Sequence, residues 1–370
     1  MKQILLLLFI GISLLSIGQV TYKGIGSGFR YKSSDNSFYM KATTRIQPQW
    51  DFKYNYIDSN FTNKAVIGRA RLKFDGYLIN KNLRYKIEYD LVNGYVRDAV
   101  IKYRMGNFDL WFGQTKLPGN HERLVSSANL QLVNRSLFNS NFTLDRDIGF
   151  QLHHSFSIKN VVIRDKYAFT AGNGILDNQW NEGFSYTAKL EVLPFGEFTK
   201  KGEFITADIY KEQTPKLIAT AYINYNTDAY KSKGQTGINL NNQSDLLLFG
   251  FDVLFKYKGF SALIESGKRQ VSKGNTVVLD NNGNYIGAYY VGWGLNAQSG
   301  YVFDNMWGMV VRYSTVDPQI VELGNSIRDY TIGINKYIIG NSLKIQADIT
   351  YRENSVYDEV IGRVLMELQF

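Results

Sequence analysis

The last eleven residues of the chain, residues 360–370, alternate between a mostly apolar and a more polar set of positions. The apolar set consists of Val360, Gly362, Val364, Met366, Leu368 and Phe370. The opposite set includes Arg363, Glu367 and Gln369. Successive side chains of a β-strand point to opposite faces, so the pattern predicts a strand with one face on lipid and one in water. An ordinary half-buried edge strand is the alternative.

The same alternation occurs in residues 66–79 and 83–91, which are separated by a short polar turn. Their basic residues share one predicted face, together with two from the following segment: Arg69, Arg71, Lys73, Arg84 and Lys86, then Lys102 and Arg104. A face with so many charges must contact water. We therefore predict a hairpin that aims its basic side chains at an aqueous interior, where Asp75, Glu88 and Asp90 can neutralise part of their charge.

Alternating segments of this kind number about 16 along the chain. Together they predict an all-β fold, a transmembrane antiparallel β-barrel in which strands of about ten residues cross the membrane at a tilt. Three of the segments are weaker, namely Phe204–Tyr210, Leu217–Tyr225 and Asp329–Ile339, so counts of 14 or 18 stay open. No linker or low-complexity tract interrupts the series.

The series has one long interruption, from Pro118 to Arg146. It contains His121, Glu122, Arg123 and Arg135 beside several apolar residues. This mixture suits a segment that packs against a wall, and a barrel this wide would otherwise hold a water-filled channel. We predict that the loop folds inward as a constriction, with a surface loop as the alternative.

The beginning of the chain has the features of a secretory signal. A positive start, Met1-Lys2, precedes an apolar stretch from Ile4 to Ile17, and small residues stand at positions 16 and 18. We predict a signal peptide at residues 1–18 and a barrel domain at residues 19–370. The chain contains no Cys, which excludes a lipid-attachment cysteine.

Composition agrees with a barrel. The chain contains 26 Tyr, 23 Phe and 33 Gly but only 5 Pro, which favours many strands with aromatic residues at the membrane interfaces. Mean hydropathy is −0.24, as expected when one strand face is wet. The net charge of +9 is explained either by loop solubility or by a positive lumen that attracts anions.

Catalytic, metal and nucleic-acid functions have little support. His153 and His154 are adjacent and should face opposite sides of the sheet, which opposes a metal pair. His121 beside Glu122 could act as an acid or base, but no nucleophile motif accompanies it. The basic residues alternate along strands instead of clustering on a groove, which argues against nucleic acid. We expect no enzyme activity, no cofactor and no metal.

Five short stretches suggest a family. Residues 68–72, 85–90, 98–103, 113–118 and 146–149 stand in an order that resembles the phosphate-selective porin O and P family. The stretch 196–217, with residues 256–260, resembles the Bacteroidetes branch of that family. The resemblance implies a 16-stranded homotrimeric porin with an inward loop and a ladder of Arg and Lys that guides phosphate or other small anions. The matching basic wall positions are Arg69, Arg71, Lys73, Arg84 and Lys86, with Lys102 and Arg104. The terminal Phe370 resembles the signal read by the barrel-assembly machinery.

These observations predict a passive diffusion channel for small anionic or polar solutes in the outer membrane of a Gram-negative bacterium, surrounded by outer-membrane lipid. General anion preference is a safer expectation than phosphate selectivity, because acidic residues share the basic face. The alternative is a structural or ligand-binding barrel without an open pore, or a subunit of an envelope complex.

Overall fold

The computed structural model describes residues 18–175, 180, 182–356 and 358–370. The predicted signal peptide lies outside these residues except for Gly18, and it stays a prediction.

The described residues are mostly β-structure. The strands of the described residues are β1 (Gly18–Tyr22), β2 (Phe29–Ser33), β3 (Phe38–Asn55), β4 (Asn60–Leu78), β5 (Leu83–Asp90), β6 (Tyr95–Met105), β7 (Phe108–Lys116), β8 (Arg146–Ile158), β9 (Val161–Thr170), β10 (Ser185–Leu193), β11 (Lys216–Lys231), β12 (Asn239–Tyr257), β13 (Phe260–Lys273), β14 (Val277–Leu279), β15 (Tyr285–Ala288), β16 (Gly292–Val302), β17 (Trp307–Pro318), β18 (Ile327–Ile339), β19 (Leu343–Asn354) and β20 (Glu359–Gln369).

Sixteen of these strands, β3 to β13 and β16 to β20, form a closed antiparallel barrel. The barrel closes where β20 pairs with β3, with Leu365 opposite Gln49. The predicted fold class and strand number are therefore confirmed. The hairpin β1–β2 continues the sheet beside the start of β3, and β14–β15 form a separate small hairpin.

The two ends of the barrel differ. We call the end that holds the chain's last residue and the short β4–β5, β8–β9 and β12–β13 turns the turn end, and the opposite end the loop end. Outer-membrane barrels keep short turns in the periplasm and longer loops outside the cell. The turn end is therefore the periplasmic one.

Side-chain exposure follows the predicted alternation. In β20, Val364 and Met366 are exposed while Leu365 and Glu367 are buried. In the β4–β5 pair, Ile87 is exposed on the outer face and Arg71 is buried inside. This arrangement puts apolar side chains against hydrocarbon and charged ones in the barrel interior.

Two of the weaker predicted strands are confirmed, since Leu217–Tyr225 lies in β11 and Asp329–Ile339 in β18. The strand predicted at Phe204–Tyr210 is wrong. These residues belong to an irregular segment, residues 194–215, that connects β10 to β11 at the turn end and buries many of its side chains. Its apolar residues show neither helical nor strand periodicity, because the segment has no long regular element and packs irregularly against the inside of the barrel wall.

Among the described residues, helical structure is limited to short pieces. They are α1 (His121–Leu124), α2 (Leu137–Phe142) and three 3-10 turns at Ser127–Asn129, Thr199–Phe204 and Val321–Leu323. Within the described part of the chain, no helix is long and apolar enough to cross a membrane.

Candidate functional site

The loop between β7 and β8, residues 117–145, lies inside the barrel against one half of the wall. Its α2 residues Phe138 and Phe142 join a buried cluster with inward-facing wall residues of β9, β11, β12 and β17. Glycine makes room for them, because a Cβ at Gly294 would lie 2.9 Å from the Phe142 ring and 3.1 Å from the Phe138 ring. Gly333 makes similar room for Leu132.

Wall side chains also hold the loop by hydrogen bonds to its backbone. Lys189 Nζ donates to the Gly119 carbonyl at 2.7 Å, and Lys344 Nζ donates to the Leu130 carbonyl at 2.6 Å. Both lysines are buried. Backbone carbonyls that are buried in the packed half of the lumen need such donors, since unpaired buried polar groups cost about 1–3 kcal/mol each.

The predicted loop residues His121 and Glu122 are part of this anchoring. The Glu122 backbone N–H donates to Glu265 Oε1 of β13 at 2.7 Å, while the Glu122 carboxylate accepts from the Ser136 hydroxyl at 2.6 Å. His121 Nε2 lies 2.6 Å from the Glu203 carbonyl oxygen. Burial lowers the pKa of His121 from its usual 6.5, so the ring is neutral and Nε2 is the donor.

The segment 194–215 enters the barrel from the turn end. Lys256 of β12 holds it, because its Nζ donates to the carbonyls of Gly202 and Ala207 at 2.8 and 2.7 Å. Phe198 packs in a second buried cluster with β9–β13 residues. Sequence reasoning missed this inward segment, since no periodicity marked it.

The two inward segments meet inside the barrel. The Gln131 backbone N–H donates to Thr206 Oγ1 at 2.8 Å, and the Thr206 backbone N–H donates to the Asn129 carbonyl at 3.1 Å. Together they fill one half of the lumen and leave space along the other half.

That space is a cavity of about 850 Å³ against the inner faces of β3 to β9. All seven basic residues of the predicted ladder line it, as do Arg123 and Arg135 of the loop. Sixteen Lys and Arg side chains and only five carboxylates contribute to the lining. His121 and Glu122 are buried in the packed half and do not line the cavity.

Carboxylates pair with five of the seven ladder residues. Arg71 binds Asp90 at 2.5 Å, Lys73 binds Asp75 at 2.7 Å, Lys86 binds Glu88 and Asp98, and both Arg84 and Arg104 bind Asp109. Arg69 donates to the Gln47 side chain at 2.9 Å, and Lys102 lies over the Trp111 ring. Among the described residues, these two have no carboxylate within salt-bridge distance.

Three further basic residues line the cavity together with Arg69 and make hydrogen bonds to the loop. Arg45 of β3 donates to Ser127 Oγ at 2.7 Å, Arg135 donates to the Val125 carbonyl at 2.8 Å, and Lys116 donates to the Arg123 carbonyl at 2.6 Å. None of them pairs with a carboxylate in the part of the chain that is described. We call Arg45, Arg69, Lys116 and Arg135 the constriction cluster.

Sequence reasoning named Arg69 and Arg135 but missed Arg45 and Lys116. The signal for Arg45 was present, because Arg45 and Gln47 alternate with the apolar Ile46 and Pro48 in the same way as the ladder residues do with theirs. The signal for Lys116 was weaker, since it ends a strand immediately before the loop.

Each of the two remaining histidines contacts a side chain of a neighbouring strand. His153 stacks on Trp111 with a 4.1 Å centroid distance, and His154 lies 2.9 Å from Asp165. Among the described residues, no three His, Asp or Glu side chains are grouped to hold a metal ion.

A closed 16-stranded barrel with a lipid-compatible outside, an inward loop and a cationic lumen defines an outer-membrane β-barrel of the porin class. Residues 41–161, about one third of the chain, match the family model of the phosphate-selective porin O and P family. The resemblance found in the sequence is confirmed over these residues, which include the whole ladder and the inward loop. The protein is thereby placed in the outer membrane of a Gram-negative bacterium. None of the curated proteins matches the chain.

Solved structures share the fold at low sequence identity. OmpT, an outer membrane protein of Vibrio cholerae in its trimer form, is 13% identical with a TM-score of 0.55 over 89% of this chain and 99% of that chain. The outer membrane channel DcaP of Acinetobacter baumannii is 11% identical, TM-score 0.57, over 93% and 100%. An anion-selective porin from Comamonas acidovorans is 8% identical, TM-score 0.57, over 90% and 99%. At these identities the likeness concerns the fold alone.

Proposed function

We propose that the protein is a passive, non-catalytic diffusion channel for small anionic and polar solutes, phosphate among them. The observation that carries the proposal is the constriction cluster, whose Arg and Lys side chains line the cavity and, among the described residues, have no carboxylate within salt-bridge distance. A guanidinium can bind two oxygens of an anion, while an ammonium acts as a point charge. Conduction needs such contacts to be weak enough to release the solute.

The paired ladder residues contribute less to this selectivity. Ion pairs such as Arg71–Asp90 are nearly neutral as units, so they shape the wall more than they attract solutes. General anion preference is therefore the primary expectation, and selectivity for phosphate over chloride is the finer one. His121, which the sequence offered as an acid or base beside Glu122, has a structural role in this proposal.

Planar-bilayer recording tests the proposal. Purified protein under a KCl gradient should give conductance steps with a reversal potential on the anion side, and replacing chloride by phosphate should keep a measurable current. A cation-favouring reversal potential would contradict the proposed function.

A second candidate is a barrel without an open pore, which binds a ligand or serves an envelope complex. The hydrogen bonds between the loop and segment 194–215 favour it, because they join two segments across the lumen. A folded barrel that gives no conductance steps would support this candidate.

The proposal includes assembly as a homotrimer, which the family resemblance implies, and recognition of Phe370 by the barrel-assembly machinery. In the folded chain the Phe370 backbone N–H donates to the Thr44 carbonyl at 2.8 Å and so completes the seam of the barrel. Cross-linking in native membranes would report the trimer, and deletion of Phe370 should reduce the amount of assembled barrel.

A further inference from the structure

Exposed charges are distributed unequally between the two ends of the barrel. Among the described residues, the exposed cations of the turn end are Lys23, Lys32, Lys81, Arg104, Lys159, Lys200, Lys201 and Lys258. Its exposed carboxylates are Asp35, Glu197 and Asp304. The loop end has Lys53, Lys64, Lys273 and Arg328 against Asp58, Glu182 and Glu322. The turn end is therefore strongly basic, whereas the loop end is close to balanced.

Three of these lysines stand on separate turns around the barrel. Lys81 lies between β4 and β5, Lys159 between β8 and β9, and Lys258 between β12 and β13. The second turn lies four strands from the first, the third lies four strands from the second, and the three together span half of the sixteen-stranded barrel. None of the three lines the cavity, and none has a carboxylate partner in the described part of the chain. We call them the turn-end ring.

Exposed apolar residues accompany the ring. Ile79 is 74% exposed two residues before Lys81, and Ile158 is 58% exposed immediately before Lys159. Phe260 is exposed two residues after Lys258. A short turn that combines an apolar side chain with a cation suits the boundary between hydrocarbon and headgroups. The apolar side chain can contact the hydrocarbon while the cation contacts the headgroups.

The backbone adds an independent observation. Lys159 and Lys258 have φ values of 54° and 47°, in the left-handed region where side chains with a Cβ are disfavoured. Gly, Asn or Asp usually occupy such turn positions. Lysine stands at both places despite this backbone cost.

We propose that the turn-end ring binds the headgroups of anionic phospholipids in the periplasmic leaflet, so that these lipids are enriched around the barrel. A compact acidic protein would require its cations on one patch, but the three lysines are spread along half of the circumference at one level. Polybasic surfaces attract anionic lipids by an electrostatic term that falls with salt.

The experiment compares lipid enrichment around three proteins in nanodiscs of mixed phosphatidylglycerol and phosphatidylcholine. They are the wild type, the ring variant K81Q/K159Q/K258Q, and a loop-end control, K53Q/K64Q/K273Q. Native mass spectrometry counts the lipids that remain bound to the released barrel. The wild type should retain phosphatidylglycerol at least threefold more than its share of the mixture, and 0.5 M NaCl should reduce this excess.

The ring variant should lose most of the excess, and the loop-end control should keep it. A ring variant with Arg in place of the three lysines should also keep it, because the charge is unchanged. If the ring variant does not fold, the three single Lys→Gln variants replace it and each should lose part of the excess. Equal retention by the wild type and the K81Q/K159Q/K258Q variant, loss only in the loop-end control, or displacement by free inorganic phosphate with no lipid preference would overturn the proposal. Anion conductance is a separate readout, since the ring does not line the cavity.

Discussion

The Asn129 side-chain amide donates a hydrogen bond to the Phe204 carbonyl oxygen, 2.9 Å away, although the two residues enter the barrel from opposite ends. Asn129 belongs to the loop between β7 and β8, and Phe204 to the segment between β10 and β11. Their contact separates a packed half of the lumen from a cationic cavity. Anything that displaces either segment should therefore change the size of the pathway.

Arg69 is one of the two ladder residues, with Lys102, whose loss should affect selectivity without leaving a carboxylate unpaired among the described residues. R69Q removes one cation beside Arg45, and an electrostatic effect of about 1 kcal/mol corresponds to a roughly fivefold lower anion-to-cation permeability ratio. The permeability ratio is measured from reversal potentials in planar bilayers. R328Q, on the exposed loop end where Arg328 pairs with Glu353, is the matched control and should leave the ratio unchanged. Equal ratios for wild type and R69Q would mean that Arg69 lies off the pathway.

Gly294 should be required for docking of the loop. G294V places new atoms against the Phe142 and Phe138 rings, and overpacking of this kind costs about 1–3 kcal/mol. We expect the loop to shift, with larger or noisier conductance steps and a lower thermal midpoint. G362A is the control, because its Cβ would face the lipid side with its nearest neighbour, Phe52, 3.9 Å away. Unchanged conductance in G294V would show that the loop does not set the width of the pathway.

Lys256 should stabilise the segment that enters from the turn end. K256M leaves the Gly202 and Ala207 carbonyls without this donor, at a cost of about 1–3 kcal/mol each. The temperature at which the barrel unfolds on heat-modifiability gels should fall. K273M, at an exposed lysine of the loop end, should leave it unchanged. A K256M barrel as stable as the wild type would contradict the role given to this lysine.

Acid should weaken the docked loop through His121. Burial lowers the pKa of His121, so the docked ring resists protonation while the released ring protonates near its ordinary pKa of 6.5. The stabilisation of the docked loop by the neutral His121 ring is thus complete above about pH 6.5. It decreases as the pH falls from 6.5 towards the lowered pKa of the docked ring. Asp252, 3.7 Å away, and Lys189 face the same ring with opposite electrostatic effects. The measurement is the thermal midpoint at pH 7.5 and 5.5.

The variant H121Q provides the comparison for this pH effect. Glutamine can still donate to the Glu203 carbonyl but does not titrate, so its midpoint should fall less on acidification than that of the wild type. An identical fall in both proteins would assign the effect to other groups.

How far the sequence could predict the site differs from residue to residue. The alternation around Arg69, Arg71 and Arg84 was sufficient to assign them to the wet face, because a two-residue period leaves a strand only two faces. The same rule could not say that Asp90 and Asp109 would neutralise two of these arginines. Ion pairing depends on the register between strands, and register is a property of the assembled sheet.

By itself the sequence determined the barrel, its approximate strand number, the inward loop and the basic lumen, since each follows from a local period or from its interruption. Only the tertiary structure decided which half of the lumen is filled, where segment 194–215 goes, and which cations stay without carboxylates. Those outcomes depend on contacts between residues far apart in the chain, such as Lys256 with Gly202 and Gly294 with Phe142. Such contacts leave no periodic trace in either partner's own segment, because they form only after the wall has closed.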